Sequence, residues 1–206
     1  MDEKISSQYE SLRIIDQMIQ TAKKEQNDNG KGWIIWGWLL FAASILSWIN
    51  IKMEWFSTFF FWNLFGVGAL ILMAIEVFNH FFIKEPAQVR TYTKDLYEKL
   101  NIGFFISMLL IIFSMNLGVH PIKGFALLLG LYGFWILIYG AVLNFKPSIT
   151  GAYITWAFAF ASLFVHSFEW TMLLHAFAVL CGYIIPGHLA NREFNKVNNA
   201  PGISRV

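Results

Sequence analysis

Two sets of polar side chains could carry chemistry in this otherwise apolar chain. The first set, called here the inner polar cluster, comprises Glu76, Asn79, His80 and His188. The second set, the outer polar cluster, comprises His120, His166, Glu169 and His175. Residues three or four positions apart share one face of a helix, so the first three members of the inner polar cluster can act together. A carboxylate and imidazoles at one depth suit a metal site, a proton relay or a buried hydrogen-bonded pair, and these three interpretations stay open.

Signatures of catalysis are sparse. Glu76 and His80 have a spacing that resembles that of metal ligands, but the HExxH pattern and a second paired carboxylate are missing. The sequence has no serine or cysteine nucleophile elbow, no glycine-rich phosphate loop and no Asp inside an apolar segment. Cys181 is the one cysteine, which excludes a disulfide framework and a cysteine metal site. An enzyme is therefore the less favoured interpretation, and the sequence names no cofactor.

The composition predicts a membrane protein. Hydrophobic residues make up 57% of the chain and charged residues 14%, whereas a soluble domain carries about 25% charged residues. The formal net charge is only +2, and the basic residues do not form a patch with interleaved aromatic residues, which argues against nucleic-acid binding. The lipid bilayer is thus the expected partner.

Six apolar segments follow a polar N-terminal region. We expect an all-α fold, with a bundle of six transmembrane helices over residues 32–190. The predicted spans are approximately 33–51, 55–83, 102–119, 124–145, 149–166 and 170–190.

The basic residues predict the orientation of these spans. All Lys and Arg residues except Lys52 and Lys123 fall on the side that also holds both termini. Because Lys and Arg are enriched in cytoplasmic loops, we expect both termini to lie in the cytoplasm, with residues 191–206 as a cytoplasmic tail. The predicted location is the bacterial inner (plasma) membrane.

Residues 1–31 are predicted to form a cytoplasmic amphipathic helix and a linker. The apolar residues of the helix recur at three-and-four spacing: Ile5, Tyr9, Leu12, Ile15, Ile19 and Ala22. Such a helix can lie on the membrane, pack on the rest of the chain, or bind a cytoplasmic protein partner through residues 3–27. The oligomeric state is left open.

Small residues and a proline predict how the last three spans pack. Gly133 and Gly140, followed by Gly151, favour a tight hairpin of the fourth and fifth spans, because small residues let helices approach closely in lipid. We expect Pro186 to disturb the sixth span near its cytoplasmic boundary.

Glu76 is expected to be shielded from lipid, since an ionised carboxylate in hydrocarbon is costly. The predicted hydrogen-bond partner of its carboxylate lies near the cytoplasmic end of the sixth span and is Tyr183 or His188.

Two stretches resemble known membrane proteins. LYGFWILIYGAVLNFKPSITGAY and GYIIPGHLANREF resemble uncharacterised six-span bacterial inner-membrane proteins over about the last third of the chain. The glycine spacing before a proline is also similar to that of the HdeD-like six-span family, which implies a role in stress response. Neither resemblance supplies a functional residue.

Three functions are compatible with these features. A non-enzymatic interaction or sensory protein is the leading hypothesis, because of the N-terminal amphipathic segment and the sparse polar content of the spans. A small transporter or channel is the alternative, because four polar side chains lie within predicted spans: Glu76, Asn63, Asn116 and His175. An intramembrane metalloenzyme is the third, motivated by the two polar clusters.

Overall fold

The computed structural model describes residues 29–82 and 92–198, and these residues are helical with no strand among them. The helices are α1 (Lys31–Met53), α2 (Phe60–Phe82), α3 (Tyr92–Asn116), α4 (Pro121–Val142), α5 (Lys146–Phe164), α6 (Phe168–Val179) and α7 (Ile185–Asn198), with a π-helical turn (Leu180–Ile184) joining α6 to α7. The prediction of an all-α fold is confirmed. The predicted N-terminal amphipathic helix and the last eight residues of the tail lie outside the described residues.

Four helical stretches are long and apolar enough to cross a membrane, judged by length and composition. They are Lys31–Met53, Lys99–Asn116, Pro121–Val142 and Phe168–Lys196. The described side chains of α2 add a shorter apolar stretch, Phe60–Ile71. Helices of 22 or 23 residues, such as α1, α2 and α4, are about 33–35 Å long.

The helix bounds depart from the predicted spans in three places. Helix α3 begins at Tyr92, ten residues before the predicted third span, so it includes part of the loop expected between the second and third spans. The second helix begins at Phe60, five residues later than predicted, because Glu54 adopts a left-handed conformation with φ of 54° and residues 54–59 form a turn. The sixth predicted span continues without a break through the π-helical turn to Asn198, so part of the predicted tail is helical.

Helices α1, α4, α5 and α6 form the centre of the bundle. The most extensive contacts join α4 to α5 and α1 to α6, and α6 also contacts α4 and α5. Helix α2 packs on α1, and α3 packs on α4. The start of α1 lies beside α7 and its end lies beside the start of α6. We call the end of the bundle with the start of α1 the inner end, and the opposite end the outer end.

The α4–α5 hairpin is packed through glycines, as the sequence predicts. A side chain at Gly140 would come within 2.9 Å of the Ile149 backbone nitrogen, and one at Gly133 would meet the Trp156 ring. Gly151 differs from the prediction, because its close neighbours are Cys181 and Gly182 of the π-helical turn and not α4. Glycines therefore bring α5 close to two helices.

The π-helical turn ends at Ile184, two residues before Pro186. Proline has no N–H to donate to the carbonyl four residues earlier, so a regular α-helix cannot continue through this position unchanged. The Ile185 N–H instead bonds to the carbonyl of Leu180, five residues earlier. The disturbance expected at Pro186 takes the form of this wider turn.

Candidate functional site

The structure separates the four residues of the outer polar cluster. His120 precedes the first turn of α4 and is exposed, and His166 is exposed in the turn between α5 and α6. Glu169 forms an ion pair with Lys52, with 3.1 Å between Oε1 and Nζ, at the outer end. His175 alone is fully buried. In residues 29–82 and 92–198 no three His, Cys, Asp or Glu side chains come together as a possible metal site.

The inner polar cluster is described only in part. His188 is exposed on α7. The side chains of Glu76, Asn79 and His80 lie outside the described part of the chain, so their convergence and the partner of Glu76 stay predictions. Tyr183, one of the two expected partners, is buried, with its ring 4.8 Å from that of Trp33.

His175 binds Ser44 across the interface of α1 and α6. The Ser44 Oγ lies 2.9 Å from His175 Nδ1 and 2.7 Å from the carbonyl oxygen of Leu40. A hydroxyl has one proton, and Ser44 donates it to the Leu40 carbonyl. In a neutral imidazole, Nδ1–H then donates to Ser44 Oγ, and Nε2 carries the lone pair.

Aromatic rings enclose the imidazole of His175. Its centroid lies 5.0 Å from that of Trp62 and 5.8 Å from those of Phe125 and Tyr132, all with steep interplanar angles. The Trp62 Nε1–H donates to the sulfur of Met172 at 3.0 Å, so this indole does not serve the histidine. The His175 Nε2 atom is buried without a partner among the described residues.

A serine beside a histidine could suggest a nucleophile and its base, but the geometry does not fit that role. Both side chains have 0% exposure, so no substrate reaches them in this conformation. The Ser44 proton is directed to a backbone carbonyl of its own helix. The pair therefore joins α1 to α6 and does not form a catalytic dyad.

Further polar side chains are buried around this pair in the outer half of the bundle. Besides Ser44 and His175, they are Ser47 and Asn50 on α1, Ser162 on α5 and Thr171 on α6. Ser162 and Thr171 donate to carbonyls of their own chain segment, at Phe158 and Ser167. We call these six residues the outer polar core.

Asn50 has a separate role in the outer polar core. Its Nδ2 donates to the carbonyls of Phe56 and Ser57 at 3.2 and 3.1 Å, and its Oδ1 accepts from the Phe56 N–H at 2.9 Å. Three of its four possible hydrogen bonds thus hold the turn between α1 and α2.

The sequence reasoning identified His175 but missed Ser44, Ser47 and Asn50. Their spacing of three residues is a signal, because it places three polar groups along one strip of an apolar helix. The pairing of Ser44 with His175 joins positions 131 residues apart, and no local pattern reveals such a contact.

Comparison with known proteins gives no family for this chain. No protein-family description, no curated protein and no solved structure matches it.

Proposed function

We propose that the chain is a six-span protein of the bacterial inner membrane with both termini in the cytoplasm, and that it acts as a non-enzymatic interaction or sensory protein. Apolar stripes on the peripheral helices support the membrane part of the proposal. On α3, Ile102, Ile106, Leu110 and Phe113 lie on one exposed face, and Leu110 is 70% exposed. Such a stripe is unfavourable in water and suits contact with lipid.

Helix lengths and charges support six spans in preference to four. Helix α5 has 19 residues, about 28 Å at 1.5 Å per residue, which matches the hydrocarbon core. Helix α2 has 23 residues and carries an exposed apolar stripe that includes Leu64, Val67 and Ile71. The distribution of Lys and Arg supports the orientation with the inner end in the cytoplasm.

The observation that carries the non-enzymatic role is the filled interior. Rings contact one another in series from Phe168 at the outer end to Tyr139 at the inner end, with centroid separations between 4.3 and 6.0 Å. The intermediate members of this series are Phe125, His175, Tyr132, Tyr183 and Trp33. Rings packed in this way leave the surfaces and ends of the bundle for recognition of a ligand or partner.

A small transporter is the alternative, and three buried polar atoms favour it, two of them in the outer polar core and one on the neighbouring Trp48. Ser47 Oγ, Trp48 Nε1 and His175 Nε2 are buried without hydrogen-bond partners among the described residues. Unpaired polar atoms are costly in a membrane interior, and a second conformation that admits water or an ion would satisfy them. The metalloenzyme hypothesis rests on the inner polar cluster alone, because the outer polar cluster does not converge.

Partner capture tests the interaction role. The tagged full-length chain is extracted from membranes in mild detergent, and co-purifying proteins are identified. Leu12→Glu places a charge on the predicted apolar face of the N-terminal segment and is expected to remove a specific partner. Gln20→Glu places the same charge on the predicted polar face and should retain it. Identical partner sets for the wild type and both variants would remove the support for this role.

A flux measurement distinguishes the transporter alternative from the interaction or sensory role. The purified chain is reconstituted in vesicles loaded with a pH-sensitive dye, and proton and potassium flux are compared with those of protein-free vesicles. We expect equal fluxes. A protein-dependent flux that His175→Ala abolishes would favour the transporter.

A further inference from the structure

Helix α7 presents one exposed face that changes from apolar to basic along its length. Ile185 and Leu189 are 47% and 38% exposed, and Arg192 and Lys196 are exposed further along the helix. At 3.6 residues per turn these four residues lie within a sector of about 60°. His188 borders the same sector and is also exposed.

The opposite face fixes the orientation of this helix. Gly187 and Ala190 are buried against the start of α1, where Gly30 approaches the Gly187 carbonyl closely. The side-chain amide of Asn191 donates to the Asn29 carbonyl at 2.8 Å. The exposed face is therefore held outward by contacts on the other side of the helix.

Arg192 and Lys196 are available for an external anion. Neither forms an ion pair within the described ranges, where the recorded ion pair joins Lys52 to Glu169. His188, Asn191, Arg192, Asn195 and Lys196 line a shallow, open depression. Glu193 is also exposed; it lies about 100° around the helix from Arg192 and, three residues before Lys196, about 60° from that side chain, yet the two form no ion pair within the described ranges.

We infer that this face of α7 binds the phosphate groups of anionic phospholipids in the leaflet that surrounds the inner end. Arg192 lies seven residues beyond Ile185, about 10 Å along the helix axis. That rise carries the same face from an apolar to a basic surface over the distance that separates acyl chains from headgroups. An acidic protein partner would not require the exposed apolar residues in line below the cations. The inference rests on the proposed membrane location.

Native mass spectrometry of the purified full-length chain tests this inference. The chain in neutral detergent is titrated with dioleoyl phosphatidylglycerol and, separately, with dioleoyl phosphatidylcholine, which has the same acyl chains and no net charge. We expect tighter binding of the anionic lipid. A juxtamembrane cation contributes about 1 kcal/mol of attraction, or about fivefold in affinity. Arg192→Gln should thus lower the preference about fivefold, and Arg192→Gln with Lys196→Gln should nearly remove it.

Two control variants distinguish a specific effect of Arg192 and Lys196 from a general effect of the protein's net charge. Lys123→Gln removes one exposed cation at the outer end and should change the preference less than twofold, while Arg192→Lys should retain most of it. Equal preferences in the wild type and the double variant would overturn the inference. Displacement of the lipid by millimolar inorganic phosphate would also overturn it, since the site would then recognise the free anion.

A parallel measurement keeps the two proposals distinguishable. Wild type and variants expressed in bacterial membranes are washed at alkaline pH, and thermal unfolding is recorded in detergent to verify the fold. We expect all chains to stay with the membrane and to unfold at similar temperatures. Release of the wild type would contradict the membrane location itself. Retention without lipid preference would contradict the lipid site alone.

Discussion

At the scale of single residues, the contact between Ser44 and His175 is the most informative in the bundle. A side-chain hydrogen bond within a membrane bundle contributes about 0.6 kcal/mol on average and up to about 2 kcal/mol. Here the bond is buried among aromatic rings. Because His175 Nε2 already lacks a partner among the described residues, loss of the bond leaves Nδ1 unpaired as well. We therefore expect a contribution near the upper end of that range.

Ser44→Ala tests this contribution. We expect the free energy of unfolding, measured by detergent denaturation in mixed micelles, to fall by about 1.5 kcal/mol. Ser107→Ala is the matched control, because Ser107 is exposed and its hydroxyl donates only to the Gly103 carbonyl of its own helix. That variant should lose less than about 0.5 kcal/mol. Equal losses would show that the bond between α1 and α6 contributes nothing specific.

At the scale of elements, a buried side chain and a glycine contact each determine how neighbouring helices meet. Asn50 makes three hydrogen bonds to the turn between α1 and α2, whereas the nearby ion pair of Lys52 with Glu169 is partly exposed, at 48% and 31%. Exposed ion pairs contribute little, so Asn50 is the main constraint on this turn.

Asn50→Ala should destabilise the chain by about 2 kcal/mol, because the Phe56 N–H and two carbonyls lose their partner. Thermal unfolding followed by circular dichroism measures the effect. Asn116→Ala serves as the control, since Asn116 is exposed and bonds only to the Ile112 carbonyl in its own helix. If the Asn50 variant is as stable as the Asn116 variant, Asn50 does not stabilise the turn between α1 and α2.

Gly140→Leu is expected to impair folding far more than Gly130→Leu. A side chain at Gly140 meets the Ile149 backbone, while a side chain at Gly130 meets nothing within 4 Å. Overpacking of this kind costs about 1–3 kcal/mol, and the backbone contact places Gly140 at the upper limit. Membrane-inserted yield and melting temperature give the readout. Similar values for both variants would contradict the close approach of α4 and α5.

At the scale of the whole molecule, apolar periodicity predicts the helical class and most helix positions. The first predicted span, 33–51, falls within Lys31–Met53, and the glycine spacing predicts the close packing of α4 on α5. Hydropathy does not predict the turn at residues 54–59, because Trp55, Phe56 and Phe59 are as apolar as a span. Helix α1 ends there because Glu54 adopts a left-handed conformation and Asn50 binds the following turn. A hydropathy pattern reveals neither feature.

The candidate site was less predictable than the fold. The predicted topology places the four residues of the outer polar cluster at one end of the bundle, but topology does not fix the direction of a side chain. His120 and His166 face outward at helix ends, while His175 faces the interior. The partner of His175 is a serine, and serine in an apolar helix is typical of helix packing, so its residue type does not indicate a site.

The sidedness of the two ends of α5 tests the proposed six-span bundle most directly, because the six-span count depends most on this helix. Cys181→Ala provides a cysteine-free chain, and single cysteines then replace Lys146 and His166 at either end of this helix. A membrane-impermeant maleimide is applied to intact bacterial cells and to cells opened by detergent. We expect labelling of the cysteine at position 166 in intact cells and of the cysteine at position 146 only after opening. Labelling of both positions from the same side would contradict the six-span bundle.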